Sequence, residues 1–161
     1  MTPTDGGRSF GRDVREATAL IPLLDALQAA ERAGAAALER WIASCREPGL
    51  RGGLRVICAR DRSHAALAEA RLRALGGVPT ATVGPELEAV CGVMADPAVP
   101  DRTKLALLIA RLAGGVEGTL ERAVRTSEVD VETRGVLAAI GEDDLASFRW
   151  LRARHDALDG R

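Results

Sequence analysis

Aromatic side chains are nearly missing from this chain: two Trp, two Phe and no Tyr, 2% of all residues. Base-stacking platforms for single-stranded nucleic acid are built from such rings, so that class of partner is excluded. There is no basic surplus either, because 22 Lys and Arg face 23 Asp and Glu, a formal net charge of −1. Surfaces that hold polyanions carry an excess of positive charge, so no nucleic acid is expected. Cysteine is scarce and odd in number: Cys45, Cys58 and Cys91, with no Cys-x-x-Cys pair. That argues against a disulfide framework or a zinc knuckle and fits a reduced, cytoplasmic setting. No apolar run reaches the ~18 residues that would make a membrane span. The most apolar stretch, LALLIARLAGGV, is broken by Arg111. The N-terminus MTPTDGGRSFGRD has no hydrophobic signal core. Phosphate-loop and nucleophile-elbow patterns are both missing. Lysine occurs once, and the dominance of Arg and Ala reads as the mark of a GC-rich genome rather than of an activity.

What is there is an ordinary globular balance: 161 residues, 47% hydrophobic and 28% charged, enough for one domain with a real core. Residues 1–16 are Gly-rich and polar and read as a flexible tail, leaving 17–161 as the folded unit. Four long helical patterns follow: Ala19–Cys45, Leu50–Leu75 with a stop at Gly76-Gly77, Asp101–Thr126 with Asp101 as N-cap, and Val131–Leu158. No segment alternates like a strand. The outer connections, near 46–49 and 127–130, are short and make antiparallel neighbours. The middle one carries Pro79, Pro85, Pro97 and Pro100, and within it PELEAVCGVMAD predicts a short helix with Pro85 at its first position. The expected fold is all-α, a four-helix bundle whose second and third helices are joined by a long crossover.

The apolar seams carry the informative residues. The first helix reads Leu24, Leu27, Glu31, Gly34, Leu38, Trp41, Cys45, with steps alternating three and four, so Glu31 occupies a core position. On the second helix Asp61 and His64 stand three apart on one face, and on the fourth Asp144 and Ser147 do the same. A shift of 83 residues lays Leu54, Ile57, Asp61 and His64 on Leu137, Ile140, Asp144 and Ser147. A shift of 82 lays LERWI at 38–42 on LERAV at 120–124. The chain is therefore a weak internal repeat of helix pairs. A carboxylate buried in such a seam costs several kcal/mol or keeps its proton unless it finds a partner. Glu31, Asp61, His64 and Asp144 therefore read as a metal-free polar network.

This pattern resembles the ferritin-like superfamily, and more narrowly the rubrerythrin-like four-helix bundles. Their first and third helices each give a Glu, and their second and fourth each give a Glu-x-x-His pair. On that resemblance Glu31 matches the first Glu, and Asp61-Arg62-Ser63-His64 matches the first pair with Asp for Glu. In the second pair Asp144 and Ser147 replace Glu and His. On the third helix Ala113 stands at the acid's place, with Glu117 the nearest carboxylate. The resemblance implies metal ligands Glu31, Asp61, His64 and Asp144, with Glu117 as a fifth. This set is thin for two cations but able to hold one iron, manganese or zinc ion with water completing the shell. It also implies a homodimer. The function it implies is that of a non-catalytic binding or structural protein with an incomplete dimetal site. The other reading is a metal-dependent oxidoreductase handling oxygen, peroxide or iron. Of the remaining residues, Cys45 and Cys58 read as core thiols and His155 as a helix-end residue. Arg60, Arg62, Arg71 and Arg73 read as a solvated face.

Overall fold

In the computed structural model the backbone is described for residues 7–115 and 129–159, and side chains for 20–113 and 129–158. The described residues form five helices and no strand: α1 (Gly7–Ser44), α2 (Pro48–Ala74), α3 (Pro85–Ala95), α4 (Asp101–Gly115) and α5 (Val131–Asp159). The chain is all-α, as its periodicity predicts. α1 begins at Gly7, twelve residues before Ala19, so part of the 1–16 stretch read as tail belongs to this helix. Pro22 lies in its interior and removes one backbone donor from the helical ladder. The expected extension of the third helix to Thr126 falls outside the described residues beyond Gly115.

The helix ends follow local chemistry. Pro48 and Pro85 occupy first-turn positions, where the missing N–H is not needed. α2 closes where Gly76-Gly77 predicts. Gly76 sits at φ +84°, its N–H donates to the Arg73 carbonyl, and the Gly77 N–H donates to the Leu72 carbonyl. This double return satisfies two orphan carbonyls and needs a residue tolerant of the left-handed region. Asp130 caps α5, accepting from the Thr133 N–H at 2.9 Å and the Thr133 hydroxyl at 2.5 Å. Asp101 does not act as the expected N-cap. It is the first residue of α4, and its carboxylate accepts from Trp41 Nε1 at 2.7 Å and from the Arg46 and Glu47 backbone N–H groups. It thereby ties the α1–α2 turn to the start of α4.

Contacts between α1 and α2 run in opposite senses: Ile21 lies near Gly77, Glu31 near His64, the Ala35 carbonyl near Cys58 and the Cys45 carbonyl near Arg51. The same holds for α2 and α5, from Gly53 against Trp150 to Arg71 on Thr133. α5 also packs on α4. α3 packs on both α1 and α4, so the crossover is a wall of the structure and not merely a link. The crossover segment ahead of it is clasped by buried Asp25, which accepts from the Thr80 and Ala81 N–H groups and the Thr80 hydroxyl.

Two apolar clusters make the core. One gathers Leu38, Trp41, Leu54, Ile57, Leu105 and Leu151. The other gathers Leu20, Leu24, Ala68, Leu72 and Leu137. Along α1, α2 and α5 alike, polar residues interrupt the stretch between the clusters: Glu31, then Asp61 and His64, then Asp144 and Ser147.

Candidate metal centre

The polar layer exists because three helices each interrupt an apolar stripe at the same height. Gly34 makes room for it: a Cβ there would stand 3.3 Å from Asp61 Oδ2. Glu31, His64 and Asp144 bring one ligand atom each to within 4.8 Å of one another. His64 Nδ1 lies 3.6 Å from Glu31 Oε2 and 3.7 Å from Asp144 Oδ1. Asp61 lines the same space beside Glu31 and Asp144. Four of the five residues that the resemblance implies as ligands therefore converge; Glu117 lies outside the described residues.

The His64 ring explains the electrostatics. Its side chain is only 4% exposed. Nε2 stands 3.2 Å from Asp143 Oδ2, a hydrogen bond in which the ring donates. Nδ1 is buried without a hydrogen-bond partner. With the ring's donor spent on Asp143, the neutral imidazole presents its lone pair to two carboxylates, a repulsive arrangement unless positive charge enters. Protons supply it in the ion-free protein. Burial works against a charged His64, but the Glu31 carboxylate 3.6 Å away, the hydrogen bond to Asp143 and the Asp144 charge outweigh it and lift the ring to about 9. Burial, reinforced by the charges of Glu31 and Asp144, pushes Asp61 up to about 8. Burial and the Glu31 charge push Asp144 up to about 7. These acids keep protons because several carboxyl groups share one largely buried space.

Two residues beside the layer escaped the seam reading. Asp143 holds His64 from behind, and Arg60 donates to the Ser147 hydroxyl at 3.2 Å while lying 3.6 Å from Asp143 Oδ1. The 83-residue shift that pairs Asp61 with Asp144 also pairs Arg60 with Asp143, so the signal was present one position before each seam acid. One half of the repeat thus has carboxylate behind imidazole, and the other has guanidinium against hydroxyl. The four-arginine solvated face accordingly divides. Arg62 and Arg73 are exposed, whereas Arg71 turns inward onto Thr133, Asp130 and Glu132.

The register inferred for the third helix is corrected. Ala113 is exposed, and Leu108 and Leu112 face the interior instead. A pocket of about 220 Å³ adjoins the acids. Glu31, Asp61, Asp144 and Ser147 form its polar end, and apart from the exposed Arg111 the rest is apolar, with Cys91 and Met94 contributed by α3. Cys45 and Cys58 are buried thiols, as expected of core residues. Among the described helices none is long and apolar enough to cross a membrane. No family model, curated protein or solved structure matches the chain.

Proposed function

We propose that this chain is a ferritin-like bundle that binds one divalent metal ion on Glu31, His64 and Asp144, with Asp61 beside them, and acts as a metal-binding rather than a storage protein. The observation that carries this reading is the buried, partnerless Nδ1 of His64 aimed between two carboxylates. Metal-bound histidines characteristically give their second nitrogen to a carboxylate, the arrangement of His64 with Asp143. One imidazole with several carboxylates suits manganese, iron or zinc better than copper or a thiophilic ion. A second ion is disfavoured because Ser147 is no strong ligand and Arg60 already brings a positive charge to it. The resemblance carries a side-by-side homodimer with it, which sedimentation tests directly.

A specific observation favours a second reading, a metal-dependent oxidoreductase. The pocket beside the acids offers a second molecule access to an ion held there. Both readings meet the same first experiment. Protein stripped with chelator and titrated with manganese, ferrous iron or zinc is expected to bind one ion per chain, and His64→Ala to abolish that binding. Absence of stoichiometric binding by all three metals, or binding unchanged in His64→Ala, overturns the proposal.

A further inference from the structure

The acids of the polar layer have two sides. His64 stands on one of them and does not line the pocket, whereas Glu31, Asp61 and Asp144 do. The face of the cluster turned away from His64 therefore opens onto an apolar chamber. Its walls come from every described helix: Leu38 from α1, Ile57 from α2, Cys91 and Met94 from α3, Leu108 from α4 and Leu151 from α5.

Size and polarity narrow the occupant. An apolar cavity of ~150 Å³ admits benzene. At about 220 Å³ this one suits a ring or short chain of roughly eight to ten non-hydrogen atoms. Its polar lining consists of three carboxyl groups, the Ser147 hydroxyl and, from α4, the exposed Arg111, so carboxyl groups outnumber the single cation. We infer that the pocket binds a small apolar amine, its hydrocarbon body against α3 and α4 and its ammonium or amino group among Glu31, Asp61 and Asp144. As the naming of a ligand for the same site, this rests on the reading that the polar layer is a binding centre. The seating of the hydrocarbon body depends only on the pocket.

The test compares two molecules with one body and opposite heads, 2-phenylethylamine and phenylacetate, by calorimetry on the chelated and the manganese-loaded protein. The amine is expected to bind with Kd of about 0.1–1 mM, in keeping with a ligand of this size. Phenylacetate is expected to bind at least tenfold more weakly. Amine binding should also slow alkylation of Cys91, read by peptide mapping, because Cys91 lines the pocket. Val90, like Leu108, lines the chamber; Val90→Trp, and separately Leu108→Trp, should fill it and weaken the amine at least tenfold while leaving manganese stoichiometry unchanged. Having two fillers guards against one failing to fold, which the helical signal reports. Equal binding of amine and acid overturns the inference. So does amine affinity that survives both tryptophans, or absence of amine binding in both forms of the protein. Amine binding without any metal binding sustains it and removes the metal reading instead.

Discussion

In chelator, with no metal present, this protein should lose stability as pH rises through the neutral range, the reverse of the usual acid sensitivity of carboxylate-rich domains. Asp61 moves from 3.8 in the unfolded chain to about 8 in the fold, Asp144 from 3.8 to about 7, and His64 from 6.5 to about 9. All three are raised, so each favours the folded state fully below its unfolded value, and the advantage drains away as pH climbs through the folded value. Between pH 5 and 8 the folded protein holds more protons than the unfolded chain, so stability falls with pH. Taking a single proton as the net difference across that window, because the acids are coupled, gives ~1.4 kcal/mol per pH unit. That amounts to ~4 kcal/mol over three units. For a domain of this size, ~1 kcal/mol moves Tm by ~2–4 °C, so Tm should drop by ~8–16 °C from pH 5 to pH 8. The assay is helical circular dichroism on heating in chelator at several pH values. Asp61→Asn should flatten the profile and raise Tm at pH 8, since its amide cannot ionise. A divalent ion in hundredfold excess over Kd should restore ~2.7 kcal/mol, with the larger gain at pH 8. A Tm that is flat or rising between pH 5 and 8 in the chelated wild type would refute the reasoning about the layer's charge.

Other substitutions probe separate parts of the structure. A Cβ at Gly53 would stand 2.0 Å from the Trp150 ring. Gly53→Ala should therefore cost ~1–3 kcal/mol in urea unfolding, and adding Trp150→Ala should remove much of that penalty. Asp143→Asn keeps an acceptor for His64 but loses the charge; metal affinity should fall by ~10–100-fold, with the folded helical signal retained. Ala113→Glu places its carboxylate on the exposed side of α4, so metal affinity should not change; a tenfold rise would restore the register that the structure corrects.

Legibility in the sequence differed by residue for physical reasons. Glu31, Asp61, His64 and Asp144 could be found because steps of three and four put them on buried stripes, where an ionisable group stands out. Asp143 and Arg60 sit beside those stripes, where charged residues are unremarkable, and only the partner that each one touches gives it meaning. Ala113 was misplaced because the 82-residue shift was fixed by a short match at 120–124. A step of one residue turns a helix by ~100°, enough to exchange Leu112 for Ala113 at the interior. The short helix at 85–95 was foreseeable from Pro85 and its apolar content. Its partners were not, because periodicity over so few residues does not say which neighbours a face will meet.

The polar layer has a consequence for how the helices mesh, whether or not an ion is bound. A stripe that repeats every seven residues allows two helices to slide by one repeat and still present leucine to leucine. Such a slip would carry Glu31 to the level of Leu24 or Leu38, into one of the two apolar clusters, and set His64 against a leucine. A lone carboxylate in either cluster costs several kcal/mol. The layer therefore works as a tooth in a ratchet, permitting one alignment of α1 on α2 and penalising its neighbours. Replacing the layer with leucines should raise the melting temperature and broaden the amide resonances, as several alignments become nearly equal in energy.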